Sequence, residues 1–361
     1  LPNAGTSDVP ATIGEIVRYQ LTITVPEATH NDLLLIDQLP TGLELIADST
    51  LEITTANFGA GNFNSIDFGA GLNAANGGIV DLHNGTIYLF TSPFNLVDYN
   101  TGTNLLTFNL GDIVNSDADA DIETITISFN AVVRNTAVTN IGNTIPNDFD
   151  VFVDDTFNVS QLATTSNVVT LIIEEPVITL IKSINTSLSD PTGTTSFDGG
   201  DTVIYDIVVI AGNTANMTTA FDLIVTDAID PNLDLIDVDF IGTPLYATTA
   251  DNSDYVMPVQ TVSATITELR VGDSITIRVT ATVRNTVTIG QIIPNSVAVT
   301  WSSLPGNQGT GNTTPGNSGD TNGERNGNTA GENDYIANNA VNFTVTGAVN
   351  TIKTIDGTSE S

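Results

Sequence analysis

Strict alternation of apolar and polar residues marks several segments of this chain. In residues 16–25 every second side chain is apolar, and segment 124–133 has the same two-residue period. Turns rich in glycine, asparagine, aspartate and proline separate such segments, and no helical pattern lies between them. The pattern predicts an all-β chain of short antiparallel strands.

The second half of the chain repeats the strands of the first half in the same order. The clearest matches are Ile-Gly-Glu-Ile-Val-Arg-Tyr (13–19) with Gly-Gly-Asp-Thr-Val-Ile-Tyr (199–205), Asp-Gln-Leu-Pro-Thr-Gly-Leu-Glu-Leu-Ile (37–46) with Asp-Ala-Ile-Asp-Pro-Asn-Leu-Asp-Leu-Ile (227–236), Ile-Pro-Asn (145–147) with Ile-Pro-Asn (293–295), and Asn-Val-Val-Thr-Leu (167–171) with Asn-Ala-Val-Asn-Phe (339–343). Ordered matches of this kind indicate an internal repeat. We therefore expect two tandem immunoglobulin-like antiparallel β-sandwich domains.

The turn and linker signals predict where each domain begins and ends. The expected division is a first domain at 1–173, a Glu-Glu-Pro linker at 174–176, a second domain at 177–348, and a strand of a further unit at 349–361. The second domain contains a long loop rich in glycine and asparagine at 305–334. We expect this loop to be too polar to bury, and to be either a flexible excursion or a contact with another subunit.

The two lysines of the chain occupy the same place in one repeated pattern. Lys182 lies in Val-Ile-Thr-Leu-Ile-Lys-Ser-Ile (177–184), and Lys353 lies in Val-Asn-Thr-Ile-Lys-Thr-Ile (349–355). The lysine strand precedes the Gly200 turn in the second domain, whereas no lysine precedes the matching Gly14. The first domain is therefore predicted to lack its own first strand.

Two arrangements would supply the missing first strand. The chain is either one period of a longer tandem array, or each subunit lends residues 349–361 to the first domain of the next subunit, as in donor-strand complementation. Both predict copies of the protein joined head to tail, with open strand edges satisfied between units.

The charge of the chain restricts its partners. With 42 acidic and 8 basic residues, the net charge is −34. Such a charge repels nucleic acids and anionic lipids, so neither is an expected partner. The chain contains no run of 18 apolar residues, so the sequence predicts no membrane insertion in this segment. The abundance of threonine, asparagine, aspartate and glycine favours an extracellular or cell-surface location.

An acidic segment is the candidate metal site. Asp117, Asp119, Asp121 and Glu123 set carboxylates at every second residue, and Ca²⁺ binds six to eight oxygen ligands. The glycine of an EF-hand loop is missing, and a solvated acidic loop is the alternative. Calcium is the one cofactor the sequence suggests. The two histidines lie in no nucleophile or zinc motif, so we expect no enzyme.

The order of the motifs carries a family resemblance. The lysine strand, Gly-Asp-Thr-Val-Ile-Tyr (200–205), the Asp227 strand, Val-Gly-Asp (271–273) and a late asparagine follow one another in the second domain. This order resembles the repeat domains of very large bacterial surface proteins, including isopeptide-forming fimbrial domains. The resemblance covers nearly the whole chain and implies extracellular structural or adhesive modules.

In the isopeptide-forming members, a first-strand lysine bonds to a last-strand asparagine beside a carboxylate that carries protons. The resemblance implies two such sets: Lys182, Asn339 and Asp227 in the second domain, and Lys353 of one unit with Asn167 and Asp37 of the next. The alternative is an ordinary lysine that reaches solvent or pairs with an aspartate.

The sequence thus predicts a structural unit of a surface filament, fimbria or giant stalk. The alternative function is an adhesin binding module that recognises a glycan or a host surface protein.

Overall fold

A computed structural model of the chain describes residues 9–46, 51–57, 97–115, 119–154, 160–257, 259–306 and 316–347. These ranges contain strands and turns, which confirms the all-β prediction. Within them, no helix has the length and apolar character needed to cross a bilayer. In chain order the strands are β1 (Val9–Thr12), β2 (Ile16–Thr24), β3 (Ala28–Gln38), β4 (Leu43–Leu45), β5 (Glu52–Ala56), β6 (Val97–Asn100), β7 (Leu105–Asn115), β8 (Thr124–Val133), β9 (Thr144–Asn147), β10 (Phe149–Asp154), β11 (Ser160–Thr165), β12 (Val169–Glu174), β13 (Ile178–Ile184), β14 (Ser196–Phe197), β15 (Thr202–Ala211), β16 (Ala220–Ala228), β17 (Leu233–Ile241), β18 (Thr249–Asp251), β19 (Thr261–Leu269), β20 (Ser274–Val283), β21 (Ile292–Ser302) and β22 (Ile336–Val345).

The chain divides into two compact units. The first unit comprises Leu1–Val177, Gly212–Phe221 and Trp301–Tyr335, and the second comprises Ile178–Ala211, Asp222–Thr300 and Ile336–Ser361. Each unit therefore draws on segments that are distant in sequence.

The strands of the second unit form two sheets. One sheet has the order β13-β15-β20-β17, and the other has the order β14-β22-β21-β16-β19-β18. β13 is the edge strand of the first sheet and pairs antiparallel with β15, with Lys182 opposite Ile207. Alternating apolar side chains from both sheets fill the core, as in a β-sandwich.

The first unit repeats this topology with shorter pieces. Its sheet β2-β8-β4, to which β5 adds by pairing with β8, corresponds to β15-β20-β17. Its sheets β1-β12-β9 and β11-β10-β3-β7-β6 together follow the order of the six-stranded sheet of the second unit. Among the described residues, no strand corresponds to β13, and β2 pairs with β8 alone.

The core of the first unit follows from the two-residue period of its strands. In β2, Tyr19, Leu21 and Ile23 are buried, whereas the residues between them are exposed. The ring of Tyr19 stacks on Phe129 of β8 at a centroid distance of 5.6 Å. Phe129 also contacts Phe108 of β7, with 6.4 Å between the ring centroids. Aromatic pairs at these distances are favourable contacts beyond their area burial.

The segment Trp301–Tyr335 packs into the first unit through a buried guanidinium. Arg325 is 2% exposed, and its Nη1 donates to Glu175 Oε2 at 3.2 Å and to Asn140 Oδ1 at 3.0 Å. Its Nε donates to Asn135 Oδ1 at 2.8 Å. The hydroxyl of Tyr335 donates to Glu175 Oε2 at 2.9 Å. The guanidinium and the carboxylate therefore have several partners each, as buried charges require.

In residues 316–334, the part of the loop at 305–334 that is described after residue 306, this packing corrects the expectation that the loop is too polar to bury. Glu324, Arg325 and Asn333 are each 2% exposed. The loop also approaches the turn between β1 and β2, where a Cβ on Gly14 would lie 2.8 Å from Glu324 Cα. These polar residues can be buried because they hydrogen-bond to one another and to other segments of the first unit.

Candidate functional site

Lys182 and Asp227 form a buried ion pair in the second unit. Lys182 points into the sandwich because it shares the inward face of β13 with Ile178 and Leu180. Its Nζ donates to Asp227 Oδ2, and both side chains are fully buried. Burial lowers the pKa of Lys182 and raises the pKa of Asp227, and each partner opposes the shift of the other. Burial thus favours a neutral amine beside a neutral acid.

Two further polar residues complete this cluster. Lys182 Nζ lies 5.1 Å from the ring centroid of Tyr205, on the neighbouring strand β15. Asn295 of β21 is 2% exposed, and its side chain neighbours the Tyr205 hydroxyl. Burial raises the pKa of Tyr205 well above its ordinary value, so the phenol is protonated at neutral pH. The second unit therefore gathers an amine, an acid, a phenol and an amide in one apolar pocket.

Asn339, which the family resemblance implies as the acceptor of Lys182, contacts the main chain of that lysine. Its Oδ1 accepts a hydrogen bond from the main-chain N–H of Lys182 at 3.3 Å. Asn339 thus holds the backbone of β13, and Asn295 is the amide buried within the cluster. The signal for Asn295 was present in the sequence, because Ile-Pro-Asn occurs at the same place in both repeats.

The first unit contains the same cluster without a lysine. Asp37 is fully buried and accepts a hydrogen bond from Asn147 Nδ2 at 3.2 Å. The Tyr19 hydroxyl, Asp37 Oδ1 and Asn147 Oδ1 are buried and have no hydrogen-bond partner in the part of the chain that the structure describes. Burial raises the pKa of Asp37 to about 7, an effect that Asn147 opposes and Asp148 reinforces. The Tyr205 hydroxyl, Asp227 Oδ1 and Asn295 Oδ1 of the second unit likewise have no partner among the described residues, so the first cluster is incomplete in lacking the cation that Lys182 supplies to the second.

A cavity of about 710 Å³ lies over this incomplete cluster. It runs along the free edge of β2, from Tyr19 to Pro26, and faces β10 and β11. Asp37, Asn147 and Asn167 are among its lining residues. In the second unit the corresponding edge, that of β15, is covered by β13. The cavity therefore occupies the position that β13 fills in the second unit, and it has a carboxyl group at its base.

The structure brings three of the four predicted calcium ligands together. One carboxylate oxygen from each of Asp119, Asp121 and Glu123 lies within 4.8 Å of the other two. Asp117 and Lys353 lie outside the described residues.

Comparisons with known proteins concern the fold. No protein-family model matches the chain, and no curated protein matches it in sequence. Among solved structures, the C-terminal domain of the AgI/II polypeptide BspA of Streptococcus agalactiae is similar at 10% identity, over 82% of this chain and 92% of that chain, with a TM-score of 0.38. The C-terminal domain of the Streptococcus pyogenes antigen I/II-family protein AspA matches at 10% identity, over 83% and 92% of the two chains, with a TM-score of 0.38. The 35 kDa C-terminal fragment of the major pilin GBS80 of Streptococcus agalactiae matches at 12% identity, over 92% and 89%, with a TM-score of 0.30.

Proposed function

We propose that this protein is a structural unit of an extracellular filament or surface stalk, and that its units join when the first unit accepts a strand from a neighbouring copy. The observation that carries the proposal is the cavity beside the free edge of β2, which we interpret as a strand-acceptor groove. The second unit has the same topology with this position filled by β13.

The segment 349–355 has the pattern that the groove requires. Aligned on the lysines, Val349, Lys353 and Ile355 correspond to Ile178, Lys182 and Ile184, and Thr351 stands at the position of the buried Leu180. A strand in the β13 position would point these side chains into the sandwich and pair its backbone with the free edge of β2. Tandem continuation in a longer chain would supply the same strand to the same groove.

The groove also offers the partners that such a lysine needs. Asp37 would take the place of Asp227, and its unpaired Oδ1 supplies an acceptor. Asn167, on the rim of the groove, corresponds to Asn339 and would accept the main-chain N–H of Lys353. A cation beside Asp37 would favour the charged carboxylate and complete the cluster.

The buried amine, carboxyl and amide groups of the second unit are the three groups that an amide crosslink requires. In the proposed step, the neutral amine of Lys182 attacks Cγ of Asn295, a C–N bond forms, and Asn295 Nδ2 leaves as ammonia. The protonated Asp227 gives its proton to the leaving nitrogen and then takes one from the attacking amine, so the acid is unchanged at the end. At the joint between units, Lys353 would bond to Asn147 beside Asp37. No cofactor is needed for this step.

A strand-binding experiment tests the acceptor groove. A peptide of residues 349–361 is added to the whole chain, and binding is followed by the change in Tyr fluorescence and by the length of assemblies in electron micrographs. We expect the peptide to bind and to shorten head-to-tail assemblies. A peptide with Lys353→Ala should bind about tenfold more weakly or worse, because Asp37 then stays unpaired. Asp37→Asn in the chain should weaken binding of the unmodified peptide, because it removes the carboxylate that pairs with Lys353. Asp98→Asn, at an exposed position of β6, is the matched control and should bind the peptide as the wild type does. Failure of the unmodified peptide to bind would overturn the proposal.

Intact mass tests the crosslink separately. Each bond removes one ammonia, about 17 Da. We expect Asn295→Ala to abolish the loss within the second unit and Asn339→Ala to leave it in place. A wild-type mass equal to the mass calculated from the sequence would rule out the crosslink and would not affect the proposal that the groove accepts a strand.

A further inference from the structure

The loop between β7 and β8 carries three carboxylates in an arrangement suited to one cation. Their oxygens lie within 4.8 Å of one another. Two oxygens bound to one Ca²⁺ at 2.3–2.6 Å are at most about 5 Å apart. Asp121 N–H donates to Asp119 Oδ1 at 3.1 Å, which holds the two aspartates on one side of the loop.

Glu123 has a buried carboxylate oxygen that lacks a hydrogen-bond donor among the described residues. Asp119 and Asp121 are exposed, but Glu123 is 2% exposed. Its Oε2 accepts a hydrogen bond from Asn115 Nδ2 at 2.9 Å, whereas its Oε1 is buried and has no hydrogen-bond partner among the described residues. A buried carboxylate oxygen without a donor is costly unless a cation binds it. This oxygen belongs to the residue that completes the three-carboxylate set.

We propose that Asp119, Asp121 and Glu123 form a Ca²⁺ site of the first unit. All three ligands are hard carboxylate oxygens on an irregular loop, a donor set and a geometry that suit Ca²⁺ better than the near-octahedral requirement of Mg²⁺. Water completes the coordination on the exposed side of the two aspartates.

The site is connected to the end of β2. The Glu123 carbonyl accepts a hydrogen bond from the Val25 N–H at 2.9 Å. Asn115, which donates to Glu123 Oε2, also donates to the Val25 carbonyl at 2.7 Å. Calcium therefore fixes the residues that end β2, and Val25 and Pro26 line one end of the strand-acceptor groove.

Calorimetric titration of the whole chain tests the site. We expect one saturable Ca²⁺ per chain, and at least about tenfold weaker binding in Asp119→Asn/Asp121→Asn, which removes two of the three ligands. The matched control is Asp237→Asn/Asp239→Asn, two exposed acids at the same spacing on β17, which lowers the negative charge equally. The control should bind as the wild type does. Equal affinity of the site variant and the control would overturn the proposal, and so would Mg²⁺ binding as tight as Ca²⁺.

Hydrogen exchange gives a second readout that does not depend on strand binding. Calcium should slow exchange of the Val25 amide several-fold in the wild type and leave it unchanged in the site variant. Because both aspartates are exposed, the variant is expected to fold normally. Calcium binding without slower exchange at Val25 would refute the connection to β2.

Discussion

Replacing Asp37 by asparagine should change how the stability of the first unit depends on pH. Burial raises the pKa of Asp37 from its ordinary value of 3.8 to about 7. The folded protein therefore binds this proton more tightly than the unfolded chain does. The contribution of Asp37 to stability is fully present below about pH 4 and is lost as the pH rises through about 7.

The size of the effect follows from the two pKa values. At 1.36 kcal/mol for each pH unit, the interval from 3.8 to about 7 corresponds to about 4 kcal/mol. The wild type should lose that amount of unfolding free energy, relative to Asp37→Asn, between about pH 4 and pH 7. Asparagine has a similar shape and does not titrate, so the difference between the two proteins isolates this carboxyl group.

The single tryptophan allows the first unit to be followed by itself. Trp301 belongs to the first unit and stacks on Tyr335 at 5.5 Å between centroids. Urea unfolding monitored by its fluorescence should give the free energy at each pH. Asp98→Asn serves again as the exposed control. A difference between wild type and Asp37→Asn that stays constant from pH 4 to pH 8 would refute the assignment of a buried, protonated Asp37.

Two other substitutions test the contacts of the segment Trp301–Tyr335. Arg325→Ala should destabilise the first unit by about 3–5 kcal/mol, because it leaves Glu175 buried without a cation. Arg134→Ala breaks an ion pair with Glu44 in which about one third of each side chain is exposed, and it should cost about 1 kcal/mol or less. Equal losses of stability in the two variants would contradict the role of burial. Gly14→Ala should lower the stability of the first unit more than Gly111→Ala does. Both glycines have positive φ (86° and 66°), which costs alanine about 1–2 kcal/mol, but only Gly14 lacks room for a Cβ. Equal melting temperatures of the two variants would argue against close packing of Glu324 at this turn.

The strands and their inward faces were predictable because alternation is a local signal. The period of two residues in segment 16–25 was sufficient to place Tyr19, Leu21 and Ile23 in the core. The repeat added the long-range information, since it matched Asp37 in the first half to Asp227 in the second. The open edge of β2 follows from the same match, because only the second copy has a lysine strand ahead of its glycine turn.

The features of the fold and the candidate site that the sequence did not predict depend on contacts between distant segments. Asparagine is common in this chain, so sequence alone did not separate Asn295, which is buried in the cluster, from Asn339, which binds the backbone of β13. The composition of the loop at 305–334 indicated a solvated segment. The single arginine in this loop, Arg325, was the available signal that part of it is buried, because a rare cation in an acidic chain finds many acceptors.

The interleaving of the two units also constrains the order of events during synthesis. Glu175 acquires its cation only when Arg325, 150 positions later, has left the ribosome. Until then, an incomplete first unit coexists with a second unit whose strands β13 to β20 are already available. The first unit therefore cannot be completed until most of the second unit has been synthesised, and no single cut in the chain yields both units intact.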